Sequence, residues 1–440
     1  MHLVATGDDR LLLDCGLFQG LKPLRQRNWD TRVTDPRTID AVVLSHAHID
    51  HSGYLPLLAR QGFRGAIYCT PGTADLLEVV LPDAARLQEE EAERANRKGY
   101  SKHSPALPLY TVDDAQAALR LVQRCDYDRP FTIGPFGTLL RPAGHILGSA
   151  TVELDLEGSR LVYSGDLGRY DRPILCDPAP VPVADVLLLE STYGDRPHPA
   201  GAEADLTRIV RDAASRGGPI LVPAFAVDRT QELLWMLRRL ELAGSVPTLP
   251  VYLDSPMAIA VTDIYRHHPE ECDAQMTRAL AAGERPLDPD KLHVARTEEE
   301  SKAINAVRGP VIIISSSGMA TGGRILHHLA QRLPDPLATV LLVGFQAVGT
   351  RGRALEDGAK EVSIFGEEVP VRARVERIDA LSAHADSDEI LRWLRGFTRP
   401  PRATYLVHGE PEGATALAAA IRARYGWNVE VAKDGETVAL

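Results

Sequence analysis

The stretch SHAHIDH, residues 45–51, constrains this chain more than any other. His46, His48, Asp50 and His51 crowd together directly after the apolar run DAVVLS. Packing imidazoles and a carboxylate so closely is unfavourable through desolvation and charge repulsion, unless the groups share a cation. The apolar run reads as a buried strand, and the histidines as the segment at its end. Residues two apart on an extended segment point the same way, so His46 and His48 can grip one ion. Asp50 and His51, past the bend, then face a second. Neutral imidazole with carboxylate suits zinc, with manganese or iron(II) as alternatives.

Two ions need more ligands than these four. Other strand ends offer them: His145 in PAGHILGSA, Asp166 in YSGDLGR and His408 in LVHGE. Each follows an apolar run and stands next to glycine, which permits close approach of the backbone. The five cysteines are scattered and form no C-x-x-C pair. That spacing excludes a disulfide framework and a thiolate zinc site, and leaves buried or incidental thiols.

The early part of the chain reads as short strands separated by turns: RLLLDCG, GAIYCT, TLLRPAG, ATVELDL and SRLVYSGD. Between them, LPDAARLQEEEAERANRKG is helical and highly charged, and YSKHSPALPLY is a surface loop. From about residue 200 to 365 the texture changes. Apolar strands such as GPILVPAF, LPVYLD and GPVIIISS each lead into an amphipathic helix. That alternation predicts a parallel, doubly wound sheet in a second domain. The tail returns to short strands, with Asp386 or Ser387 as the N-cap of the helix in SAHADSDEILRWLRGF. The longest apolar runs, VIIISS and TVLLVGF, are far too short to span a bilayer. MHLVATGDDR lacks the basic start and apolar core of a signal peptide, so the expectation is a cytoplasmic chain with no membrane partner. A net charge of −11 argues against blanket nucleic-acid affinity, though not against a local basic groove.

H-x-H-x-D-H followed by His145, Asp166 and a late His408 resembles the metallo-β-lactamase fold. That resemblance implies an αβ/βα sandwich with a dinuclear site at its edge. By its pattern His46, His48 and His145 hold one zinc, Asp50, His51 and His408 hold the other, and Asp166 bridges. Asp14 in LLLDCG matches the first motif, where it orients the site without binding metal. Glu190 in LLLESTYGDRPH, His384 in LSAHADSDE and His408 in LVHGE resemble motifs A, B and C of the β-CASP nucleases. Those include the cleavage and polyadenylation endonuclease subunit of eukaryotes and its bacterial and archaeal relatives. PAFAVDRTQELL, YLDSPMA, SSSGMATGGRILHHL and VGFQAVGTRGR look like the same family's insertion, so the resemblance covers nearly the whole chain.

The implied fold class is α/β: a metallo-β-lactamase sandwich over residues 1–195 and 369–440, with a doubly wound parallel-sheet β-CASP domain inserted at 196–368. The family pattern has one more strand before HLVATGDDRLLLDCG, so an open sheet edge is expected there. The implied activity is zinc-dependent cleavage of RNA phosphodiester bonds, endonucleolytic, on single-stranded RNA. Two zinc ions per chain are expected, with manganese as the alternative, and a homodimer is implied by resemblance alone. Phosphodiester cleavage fits the residues independently. Two metals about 3.5–4 Å apart can activate a bridging hydroxide and neutralise phosphoryl oxygens. His384, paired with Glu190, is the expected proton donor, and Asp50 joins these two as a catalytic residue. Ser317 and Gly318 of SSSGMATGG, with Ser255, Arg229 and Arg324, are the candidate substrate contacts. The rival readings are a metallohydrolase of a small ester or thioester, and a non-catalytic RNA-binding scaffold.

Overall fold

The computed structural model describes residues 1–20, 22–29, 35–99 and 103–439. It divides into two units, Met1–Pro197 with His384–Leu440, and His198–Ala383.

The first unit opens with a hairpin of β1 (His2–Thr6) and β2 (Asp9–Leu13). β3 (Ala41–Val43), β4 (Ala66–Cys69) and β5 (Val122–Arg124) add in parallel, giving the order β1-β2-β3-β4-β5. Among the described residues β1 is therefore an edge strand, paired to β2 alone. β3 is buried along its whole length, which explains its unbroken apolar sequence. After β4, the Thr70 hydroxyl caps the long helix Pro71–Lys98 by accepting the Thr73 N–H. The helix ends at Gly99, in the left-handed conformation usual for that position. The first three residues of the loop YSKHSPALPLY lie outside the described residues, and His103 is exposed.

A second sheet begins with β6 (Phe131–Ile133), β7 (Phe136–Pro142), β8 (Ala150–Leu156) and β9 (Ser159–Tyr163), each antiparallel to the last. β10 (Val186–Glu190) runs parallel to β9. The two sheets close on one core, where Leu11, Leu13 and Val43 meet Leu140, Val152, Leu154 and Tyr163. Each buried aliphatic side chain there contributes about 1.5–3 kcal/mol.

The inserted unit is a parallel sheet with crossover helices, as the alternating texture predicted. β11 (Ile220–Pro223), β12 (Val251–Leu253), β13 (Leu292–Val294), β14 (Ile312–Ser315) and β15 (Thr339–Val343) follow in chain order. A hairpin of β16 (Glu361–Ile364) and β17 (Glu367–Pro370) intervenes before β18 (Arg374–Ile378). The spatial order is β13-β12-β14-β11-β15-β18. β18 lies in the segment RARVERID, which was expected to return to the first domain after residue 368. It instead pairs along its length with β15. Its mostly half-exposed burial pattern is that of an edge strand, which carries little information about which sheet it joins.

The chain returns to the first unit at His384. The Asp386 carboxylate caps helix Ser387–Leu394 by accepting the Asp388 and Glu389 N–H groups. β19 (Ala403–Val407) pairs in parallel with β10, helix Pro411–Tyr425 follows, and β20 (Val429–Val431) completes the order β20-β19-β10-β9-β8-β7-β6. Trp393, Leu189, Leu406, Leu417 and Ile421 bury against one another beneath these elements. No helix among the described residues is long and apolar enough to cross a membrane.

Candidate metal centre

The chemistry-bearing residues of the first unit sit where strands end. Asp14 follows β2 in the left-handed region at φ 57°, a conformation that costs a non-glycine residue about 1–2 kcal/mol. From there the DCG backbone clasps the histidine motif. The Cys15 N–H donates to the His51 carbonyl at 2.7 Å, and the Leu17 N–H to the Ile49 carbonyl at 2.9 Å. Gly16 is required by that contact, because a Cβ there would stand 1.5 Å from the Asp50 carbonyl oxygen. β3 stops at Val43, so His46 and His48 lie on irregular backbone beyond the strand. His48 then opens the single turn Ile49–Ser52, which carries Asp50 and His51. His145 lies between β7 and β8, its N–H held by the Ser149 hydroxyl at 2.9 Å. Asp166 follows β9, Glu190 ends β10, and His408 follows β19 with φ 48°.

These residues converge into two groups. In one, His46 Nε2 is 3.0 Å from His48 Nδ1, and His48 Nδ1 is 3.3 Å from His145 Nε2. Asp166 Oδ2 stands 3.4 Å from His46 Nε2 and 3.6 Å from His145 Nε2. In the other, His51 Nε2 is 3.2 Å from His408 Nε2, which is 3.4 Å from Asp50 Oδ2. The second oxygen of Asp166 reaches this group, 3.4 Å from His51 Nε2, and also lies 3.0 Å from Nδ1, the other ring nitrogen of His408. Ligand atoms about 2.0–2.1 Å from a tetrahedral ion stand roughly 3.3–3.4 Å from one another. The observed separations bracket that value, and each Asp166 oxygen faces one group.

Hydrogen bonding on the far sides of the rings supports the same reading. His51 Nδ1 lies 2.7 Å from Asp14 Oδ2 and donates to it, so Nε2 is the nitrogen that points inward. The Ser45 hydroxyl donates to Asp14 at 2.7 Å, which leaves it to accept from His46 Nδ1 at 3.0 Å. His46 Nε2 therefore also points inward. Ring nitrogens gathered around carboxylate oxygens in a buried site suit a cation. Among the described residues, the buried His145 Nδ1 has no hydrogen-bond partner. Burial pushes His48 down to about 4 and holds His46 and His145 well below the usual histidine range, leaving them neutral as ligands must be. Burial opposes charge at His51 as well, yet Asp166 and Asp14 raise it to about 10. The carboxylates thus favour positive charge at that spot. The residues fit a pair of divalent ions.

Asp14 is the hub behind the ligands. It accepts from the Ser45 N–H at 2.6 Å, and from the Ser45 hydroxyl, His51 and the Tyr163 hydroxyl at 2.7 Å each. Sequence reasoning missed Ser45, Tyr163 and also Thr192, whose hydroxyl lies 3.2 Å from His408 Nδ1. Ser45 sits directly before His46 and Tyr163 three residues before Asp166, which is the only sequence signal they offer.

Beside the metal groups stands a carboxylate–imidazole pair. Glu190 is fully buried, with Oε1 accepting the Leu167 N–H at 2.6 Å and Oε2 the Thr192 N–H at 3.3 Å. His384 Nδ1 lies 3.3 Å from Glu190, and its side chain keeps 20% exposure. Burial works against charge on His384, but Glu190 prevails and raises it. A partly open imidazole backed by a buried carboxyl group is placed to give up a proton.

The residues of the inserted unit singled out as substrate contacts carry structural bonds. Arg229 is buried and paired with Glu232 at 2.7 Å. The Arg324 guanidinium donates to Asp254 at 2.8 Å and to the Ala295 and Arg296 carbonyls. Ser255 caps helix Pro256–His267, and the Ser317 hydroxyl accepts the Thr321 and Gly322 N–H groups. Gly318 packs against the Phe225 ring.

Comparison with known proteins agrees with the geometry. The metallo-beta-lactamase superfamily matches residues 1–224, the Beta-Casp domain residues 230–355, and the Zn-dependent metallo-hydrolase RNA specificity domain residues 368–432. The chain is 40% identical to ribonuclease TTHA0252 of Thermus thermophilus over 99% of its own length and 96% of that protein. It is 33% identical to transcription termination factor FttA of Methanocaldococcus jannaschii, over 95% of this chain and 66% of that one. An RNase J-like protein of the same organism is 31% identical, over 92% of this chain and 88% of that one. The chain belongs to the metallo-β-lactamase superfamily, in its β-CASP branch.

Proposed function

We propose that this protein is a zinc-dependent endoribonuclease that hydrolyses phosphodiester bonds in single-stranded RNA, with two zinc ions per chain. The observation that carries the reading is the shared Asp166, whose two oxygens each face a separate trio of ligands, beside the Glu190–His384 pair. The similarity to a protein named a ribonuclease over almost the full length of both chains supports RNA as substrate.

His46, His48 and His145 would hold one ion and Asp50, His51 and His408 the other, with Asp166 between them. When bound, the ions supply Lewis acidity toward the phosphoryl oxygens and an activated water. Everything else falls to the chain. Asp50, the most exposed carboxylate of the set at 40%, orients the attacking water and can accept its proton. Glu190, pinned by two backbone N–H groups, holds the Nδ1 proton of His384. The other His384 nitrogen then donates a proton to the departing ribose oxygen. The products carry 3′-hydroxyl and 5′-phosphate ends. Asp14 fixes the ring of His51 and, through Ser45, the ring of His46.

A circular single-stranded RNA has no ends, so its linearisation requires internal cleavage. Incubation with the full chain is expected to linearise the circle and then fragment it, and chelator is expected to stop both. An intact circle alongside degradation of the linear RNA would replace the endonuclease with an exonuclease. Hydrolysis of neither would end the ribonuclease reading.

A further inference from the structure

The inserted unit carries an aromatic surface that the metal chemistry does not use. Phe225 stands just past β11 and keeps 37% exposure, and Phe345, just past the neighbouring β15, keeps 52%. Of the eight Phe, these two and Phe365 are the exposed ones among the described residues. Both leave the same edge of the sheet, the one formed by the carboxyl ends of the parallel strands. That edge is also where the sheet switches. From β11 the chain passes over β14 to reach β12, whereas from β14 it passes over β11 to reach β15. The connections therefore depart in opposite directions between β11 and β14. In open parallel sheets, ligands bind in the crevice at that point.

Phe225 stands at this switch point. A Cβ on Gly318, at the end of β14, would lie 2.6, 2.7 and 2.9 Å from three consecutive ring atoms of Phe225. An approach in the ring plane would leave the two flanking atoms distinctly farther than the nearest one. Near-equal distances mean that Gly318 lies over the ring face. One face is thus covered by bare backbone, while the residue keeps 37% exposure. The support is rigid on both sides. The Phe225 carbonyl accepts the Thr230 hydroxyl at 2.7 Å. The buried Gln346 amide donates to the Gly318 carbonyl at 3.1 Å. An exposed aromatic backed by glycine is suited to serve as a stacking platform, and any base can use it because every base has a π face.

We infer that Phe225 forms a nucleobase-stacking subsite for single-stranded RNA at the switch point of the inserted sheet. This rests on the ribonuclease reading above. Gly318 makes room for the ring, and Gln346 positions Gly318. Phe345 offers a second aromatic along the same edge. The subsite grips a base without reading its identity, so it adds affinity for single strands over a wide range of sequence.

The test uses the full, metal-loaded chain and a fluorescein-labelled, phosphorothioate-linked single-stranded oligoribonucleotide that resists cleavage. Binding is followed by fluorescence anisotropy, with a matching oligonucleotide of abasic sites beside it. Phe225→Ala is expected to weaken binding of the normal oligonucleotide about 5- to 150-fold, the range of one stacked base. Phe225→Trp should restore it, Phe225→Leu should not, and the abasic oligonucleotide should not distinguish wild type from Phe225→Ala. Melting temperatures and metal content verify that the variants fold. Binding by Phe225→Ala within twofold of wild type, or equal weakening on the abasic oligonucleotide, overturns the subsite alone. If the wild type binds no single-stranded RNA, the subsite and the ribonuclease reading fall together.

Discussion

Replacing Tyr163 with Phe removes one oxygen from the interior of the first unit. The Tyr163 hydroxyl donates to Asp14 at 2.7 Å, and Asp14 in turn fixes His51 and Ser45. The ring itself stays packed in the sandwich core, so no cavity larger than a hydroxyl opens. A hydrogen bond to a buried charged acceptor is worth about 1.5–3 kcal/mol, and Phe forfeits it. Asp14 keeps its three other donors, which holds the carboxylate in place but leaves it less constrained. Loss of such an outer partner typically weakens metal binding 10- to 100-fold. With three of four donors retained, the lower end is expected, about tenfold in zinc affinity. Competition against a chromophoric chelator measures the zinc affinity of the full chain, and urea unfolding of the zinc-free chain measures the stability. Equal zinc affinity and equal stability in Tyr163→Phe and wild type would refute the role of Asp14 as the hub of the centre.

His384→Ala should lower RNA cleavage by about 10²- to 10⁴-fold with zinc content unchanged; full activity would remove His384 from the proton-donor role. Trp393→Ala, which empties a buried site and frees the Ala179 carbonyl, should cost about 3–5 kcal/mol in denaturant unfolding. A loss below about 1 kcal/mol would show that the site collapses around the gap. Asp254 gives a pH dependence. Burial works to raise its carboxyl, but bonds from His328, Ser301 and Arg324 overcome this and hold it below the ordinary 3.8. The unfolded chain therefore takes up this proton at higher pH than the folded one. The stabilisation is fully present above 3.8 and is lost as pH falls through the lower folded value. The stability gap between wild type and Asp254→Asn should narrow as pH drops below about 4, and a constant gap would contradict the assignment.

The convergence of the candidate metal ligands was legible because their residues carry the chemistry in their own side chains. SHAHIDH is contiguous, and His145, Asp166 and His408 each follow an apolar run beside glycine. The hydroxyls behind them were not. Ser45, Tyr163 and Thr192 act by completing hydrogen bonds across long sequence separations, and no spacing marks such a partner. His46 and His48 reach one group, yet from irregular backbone and through different ring nitrogens, so strand alternation alone does not explain the pair. The alternating strands and helices of the inserted unit were plain from the sequence, whereas the assignment of β18 was not. Its residues would suit the edge of either sheet, and the vacant side of β15 decides the outcome. Arg229 shows the limit of reading function from residue type. Its neighbour three positions on, Glu232, pairs with it where both are buried.

The most direct test of the whole account is zinc content measured on the purified chain alongside cleavage of end-labelled single-stranded RNA. Two zinc ions per chain are expected, with internal cleavage products that vanish on chelation and return when zinc is restored. Fewer than about one zinc per chain, or cleavage that persists after the metal is stripped, would contradict the dinuclear centre built on Asp166.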